Sequence, residues 1–208
     1  MLIVVVEGAH DLEFLLHVSR VLHGADKSSL GQLVDRGEVL LLPVGGSHLS
    51  LWSTRLAALA LPEFHLFDRE TEPETALRQQ IVHRITARPG CFATLTAKRS
   101  LENYLHPQAI VEAGGPVIAV ADDNWVAELV ARRPFEARLG QPVWSALSRR
   151  AQRRLVQRAK RWLHRWATPQ MTPELLDERD PQGEVRGWLQ RIAERTCYSA
   201  AGPGQSAS

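Results

Sequence analysis

LIVVVEGAHD, residues Leu2–Asp11, is the stretch on which the fold turns. Leu2–Val6 is continuously apolar and β-branched, which suits a strand buried on both faces of a parallel sheet. Gly8 ends the run, and the period then changes. Leu12, Leu15, Leu16, Val18, Val21 and Leu22 form a helical stripe from His10 to about His23, with Gly24 as a C-terminal stop. A buried strand followed at once by an amphipathic helix is the opening of an α/β unit.

Outward from this stretch the alternation continues. Ser28–Gly37 reads as a short helix or loop, Val39–Val44 as a second strand ended by Gly45-Gly46, and Leu49–Leu61 as a helix. Glu63–Phe67 is a short third strand, Glu74–Ala87 a helix, and Cys91–Thr96 a fourth strand. Pro107–Ala113 is a short helix with proline in its first turn, and Val117–Ala121 a fifth strand before the capping residues Asp122, Asp123 and Asn124. The expected fold is α/β: a mostly parallel sheet over residues 1–121 with helices on both faces, then a helical C-terminal part at 122–198 packed on it. The helical part is broken at Pro134, Pro142, Pro169, Pro173 and Pro181, and the Ala, Gly, Pro, Gln and Ser residues of 199–208 read as a disordered tail.

Acidic residues or glycine pairs stand where the apolar runs stop: Glu7, Gly45-Gly46, Asp68 with Glu70, and Glu102 in SLENYL. In a parallel sheet the carboxyl ends of the strands share one edge, where ligands bind. Glu7, Asp68, Glu70 and Glu102 therefore meet. Two carboxylates ~4 Å apart repel by roughly 4 kcal/mol at an effective dielectric near 20, so such a cluster protonates or holds a cation. A divalent-metal site is the leading expectation. Asp11, in the first turn of the next helix, faces Glu7, although an acid there is also favoured by the helix dipole. Asp68 and Glu70, one residue apart, project to the same side of extended backbone. Gly45-Gly46 is either a tight turn or a close backbone approach to a phosphate, with Ser47 adding a hydroxyl. Glu102 is either a ligand or a cap, and Lys98 and Arg99 put positive charge beside it.

The chain of 208 residues is 44% hydrophobic and 23% charged with net charge +2, the composition of a globular protein. Cys91 and Cys197 lie far apart with no metal spacing, which suits a reducing cytoplasm. Met1–Val6 is too short for a signal peptide, and no run approaches the ~20 apolar residues of a membrane span. The histidines show no zinc spacing; His10, beside Glu7, is within reach of the site. GxSxG, GxxxxGK[ST] and GxGxxG are all absent.

Charge is unevenly placed. From 144 to 166, Trp144, Leu147, Ala151, Leu155, Ala159, Trp162 and Trp166 recur at helical spacing. The opposite face carries Arg149, Arg150, Arg153, Arg154, Arg158, Arg161 and Arg165, and no acid occurs between Glu136 and Glu174. This is either a solvated helix face or a phosphate-backbone surface, with Arg150, Arg154, Arg158 and Arg161 as contacts; the missing acids favour the second. Trp188, Trp162 and Trp166 serve the core, or a homodimer or partner surface.

EGAHD (Glu7–Asp11), PVGGS (Pro43–Ser47), FDRE (Phe67–Glu70) and KRSLENYL (Lys98–Leu105) together resemble the TOPRIM domain, most closely that of the OLD (overcoming lysogenization defect) family of nucleases. The resemblance covers about residues 1–121 and, on its wider reading, runs on to 195. It implies a Rossmann-like sheet that holds two Mg²⁺ or Mn²⁺ ions and cleaves DNA phosphodiester bonds. On this match Glu7 and Asp11 are the first acidic pair, Asp68 and Glu70 the D-x-D pair, and Glu102 the later acid. Lys160 stands for a lysine of the C-terminal part. Glu70 and Asp11 each depart from the family pattern by one methylene. OLD proteins carry an ABC-type ATPase ahead of this domain, so a separate ATPase is the expected partner, in phage defence or DNA processing. RNA cleavage and a non-catalytic metal-binding adaptor are the rivals, followed by a phosphate-binding domain of unrelated chemistry. No region supplies the additional domain of a topoisomerase or primase.

Overall fold

The computed structural model describes residues 1–23, 29–138 and 143–200; the side chains at 47 and 197–200 lie outside that description. The Cys197 side chain and most of the expected tail therefore fall outside it, as do Gly24 and Pro142. In chain order the elements are β1 (Leu2–Val6), α1 (Ala9–His23), α2 (Leu30–Asp35), β2 (Val39–Pro43), α3 (Leu49–Ala57), β3 (Glu63–Phe67) and α4 (Glu74–Thr86). They continue as β4 (Cys91–Leu95), α5 (Pro107–Glu112), α6 (Val126–Glu136), α7 (Arg149–Trp162), α8 (Pro173–Arg179) and α9 (Glu184–Ala200). Residues 199 and 200, expected in the tail, close α9.

The fold is α/β: a four-stranded, all-parallel sheet in the order β2-β1-β3-β4, flanked by helices. Every residue of β1 is buried, and its side chains alternate between two cores. Leu2, Val4 and Val6 join Phe14, Leu15 and Val18 of α1 and run on into the C-terminal helices. Ile3 and Val5 join Leu49 and Leu56 of α3 and Ile81, Val82 and Ile85 of α4. A strand covered on both faces has no polar face to show, which is why its sequence lacks alternation.

Three expectations are corrected. Val117–Ala121 is not a strand. Val117 is 77% exposed, and the backbone at Ala121 bonds to Asn103 and Asn124 side chains in place of a neighbouring strand. The sequence pattern there was apolar, but no edge is paired with it. Pro134 does not break its helix. It sits in the last turn of α6, where its missing N–H forfeits a single hydrogen bond. The helix expected over Leu49–Leu61 stops at Ala57, and Ala60 adopts a positive φ of 50°.

The chain runs from β1 outward to β2, then returns across β1 to β3. The direction reverses between β1 and β3, and such a switch point opens a crevice at the strand carboxyl ends. No helix among the described residues is long and apolar enough to cross a membrane.

Candidate metal centre and arginine groove

Glu7 and Asp68 follow directly on the last residues of β1 and β3, so both stand at the switch point. Their loops are tied together: the Asp68 N–H donates to Glu7 Oε1 at 2.9 Å. The Leu101 N–H donates to Asp68 Oδ1 at 3.0 Å and brings in the short 3₁₀ turn Leu101–Tyr104, which carries Glu102. Asp11, in the first turn of α1, accepts from the Gly8 N–H at 2.7 Å. Asp11, Asp68 and Glu102 are all buried.

Lys160, from the last turn of α7, reaches into this group. Its Nζ lies 3.1 Å from Glu102, 3.6 Å from Asp11 and 3.6 Å from Asp68. One turn on, in a π-helical turn over Leu163–Ala167, buried His164 places Nε2 2.7 Å from Glu102. Asp11, Glu102 and His164 each offer a donor atom within 4.8 Å of the others. Asp11 Oδ1 and His164 Nδ1 are buried without a hydrogen-bond partner.

The electrostatics follow from this crowding. Burial pushes the Asp68 carboxyl well above its usual range; Lys160 opposes the shift, and Asp11, Glu7 and Glu102 reinforce it. Burial also raises Glu7, against the pull of Arg78. Burial would raise Glu102 too, but Lys160, His164 and Ser100 outweigh it and hold the carboxyl well below the usual range. Burial disfavours the Lys160 ammonium, yet Glu102, Asp68 and Asp11 together keep it charged well beyond the ordinary lysine range.

Two expected ligands stand differently. Glu70 has φ 58°, so the backbone after Asp68 is left-handed where extended geometry was expected. Its carboxylate pairs with Arg99 at 3.6 Å. The reading that Asp68 and Glu70 project together is thereby corrected. Glu7 is held by Arg78, a buried arginine of α4 whose guanidinium bonds both Glu7 oxygens and the Asp68 carbonyl. Gly45-Gly46 serves as the tight turn: Gly45 has φ 78° and donates to the Glu7 carbonyl at 2.8 Å. A Cβ on Gly46 would sit 2.8 Å from Glu7 Oε2, so a carboxylate makes a close approach here. The Ser47 side chain lies outside the described residues.

Comparison of the chain with protein-family models, with curated proteins and with solved structures returns no match.

The arginines of α7 line an open groove of about 910 Å³, among them the expected Arg150, Arg154, Arg158 and Arg161. His10 also lines it and lies parallel to the His164 ring, centroids 6.1 Å apart. The groove therefore adjoins the carboxylate cluster through two imidazoles. The apolar stripe is less regular than its spacing suggests: Trp144 precedes α7 in a separate turn, and Trp166 is 53% exposed under Arg165. Trp188 is buried edge-on against Tyr104 and is a core residue.

The donor set fits a divalent cation. Oxygen donors dominate, as hard cations require, and a histidine nitrogen is tolerated better by Mn²⁺ than by Mg²⁺. Asp11 Oδ1 makes no hydrogen bond and faces the Lys160 ammonium at 3.6 Å, a place that a metal cation also suits. Arg78 and His164 escaped the sequence reading. Arg78 shares the helical face of Ile81, Val82 and Ile85, an arginine at an apolar position. His164 lies four residues beyond Lys160, on the same side of a helix.

Proposed function

We propose that the chain is a Mg²⁺- or Mn²⁺-dependent nuclease that hydrolyses DNA phosphodiester bonds, in line with its sequence resemblance to OLD-type TOPRIM nucleases. One observation carries the reading. Asp11, Asp68, Glu102 and Lys160 converge at the sheet's switch point beside a groove lined by arginines.

Asp11, Asp68 and Glu102 would hold the ion, with His164 as a further donor or as the group that orients Glu102. A bound ion supplies positive charge to a phosphoryl oxygen and makes water more acidic. Lys160 is positioned to transfer its charge from the carboxylates to an entering phosphate. Arg150, Arg154, Arg158 and Arg161 hold backbone phosphates without reading bases. Arg78 fixes Glu7 and, through the Asp68 carbonyl, the loop after β3. The expected pair of ions requires Glu7 to leave Arg78 or Glu70 to leave Arg99; counting bound Mn²⁺ with and without oligonucleotide tests it.

Cleavage of plasmid, linear DNA and RNA in Mg²⁺ or Mn²⁺, by wild type and Asp68→Ala, tests the activity. Metal-dependent cutting lost in the variant supports the proposal, and the preferred polymer fixes the substrate. The pairing of Glu70 with Arg99 favours a second reading, a single structural ion in an adaptor for a separate ABC-type ATPase. No cutting of any polymer by folded, Mn²⁺-loaded protein would move the weight there, and pull-down of an ATPase would support it.

A further inference from the structure

We infer that the cleft between α6 and α7 holds one unpaired nucleobase of the strand whose phosphates lie on the α7 arginines. This rests on the nucleic-acid reading above and adds a requirement to it: the substrate must offer an unstacked base.

The cleft measures about 320 Å³, at the small end of the ~300–1,000 Å³ typical of small-molecule sites. Val130, Leu155 and Ala159 give it an apolar lining, and Phe135 and Trp162 add two aromatic rings. Both rings are held in place. Phe135 meets Trp144 edge-on at 5.7 Å. Trp162 packs so closely on the turn after α5 that a Cβ on Gly115 would lie 2.5 Å from it. Preset aromatic faces bind a planar ring without the cost of ordering them.

Arg138 and Arg158 also line the cleft, and no acid does among its described lining residues. Arg158 belongs at the same time to the arginine groove. One nucleotide thus satisfies both surfaces, with its base in the apolar cleft and its phosphate on Arg158. An apolar protein segment would fill the cleft but leave the arginines unanswered. The two surfaces sit side by side around α7, so a single strand that follows the groove passes the mouth of the cleft.

The test measures binding in EDTA, so that cutting does not interfere. A labelled oligothymidylate and an abasic strand of equal length are titrated by fluorescence anisotropy. Wild type is expected to bind the base-bearing strand about tenfold tighter, the scale of one base–aromatic stack. Ala131→Phe, which fills the cleft from α6, and Trp162→Leu, which removes a ring, should each abolish that preference. Neither should weaken abasic binding, and thermal melting checks that each variant is folded. Equal binding of both strands by wild type, or a preference that survives in both variants, overturns the inference and leaves the cleft to a protein segment. If wild type binds neither strand, the nucleic-acid reading of the groove fails, and this inference fails with it.

Discussion

Lys160 lies within ion-pairing distance of Asp11, Asp68 and Glu102, and so does the work of a counter-ion inside a carboxylate cluster. Without it, the metal-free site holds buried negative charge that must protonate. Lys160→Ala should cost about 3 kcal/mol in metal-free buffer, the scale of a broken buried pair. Saturating Mn²⁺ should restore most of the loss, and chemical denaturation with and without the ion measures both. The pH dependence follows from opposed shifts. Glu7 and Asp68 are raised above 4.5 and 3.8, so their contribution is present below those values and is lost as pH climbs through the raised ones. Glu102 is lowered, so its contribution is present above 4.5 and is lost as pH falls through the depressed value. An entering cation must displace the proton that burial favours on Asp68. The thermal shift at fixed Mn²⁺ should therefore grow as pH rises through the raised Asp68 value, and a flat profile would contradict the site. Gly46→Ala should cost about 1–3 kcal/mol, because its methyl group meets Glu7 Oε2 at 2.8 Å. Glu7 and Asp68 were legible because strand ends fix where their side chains gather, and Asp11 because the first turn of α1 follows β1 directly. Arg78 and His164 were not. Their importance lies in which distant carboxylate each one meets, and helical spacing does not encode that.

At the scale of elements, α7 joins two tasks along one axis. Its last turn delivers Lys160, and its arginines line the groove. The π-helical turn that follows sets His164 against Glu102, and such turns often mark functional positions. Arg150→Ala combined with Arg154→Ala should reduce the slope of log binding constant against log salt by about 1.4–1.8, two phosphate contacts at 0.7–0.9 each. An unchanged slope would make this a solvated face. β1 was legible because burial on both faces leaves a continuous apolar run, and the helices α1 and α4 because burial of one face imposes a helical period on their sequences. Val117–Ala121 misled for the converse reason. An apolar run becomes a strand only beside a partner edge, and here asparagine side chains answer the Ala121 backbone.

At the scale of the molecule, the helical part does not form a core of its own. Buried residues run continuously from Leu2, Val4 and Val6 through Tyr104 and Leu163 to Trp188, Leu189 and Ile192. Glu184 at the start of α9 also accepts from Tyr104 and from the Ala97 N–H after β4. The change of period near residue 121 did not mark the end of the strands, which stop at Leu95, nor did it show that the following helices complete one face of the sheet. A chain ended before Glu184 should fail to melt cooperatively, since it loses the buried Val185, Trp188, Leu189 and Ile192, each worth about 1.5–3 kcal/mol. A soluble truncated chain with a sharp transition would refute this. The packing of α9 on β1 also sets an order of events in the cell. The ribosome makes β1, the most apolar strand, well before α9, a helix that covers it. At 5–20 residues per second, roughly 10–40 s separate the two. Throughout that interval the nascent chain carries a sticky segment without its cover, and would be a natural client for a chaperone at the exit tunnel.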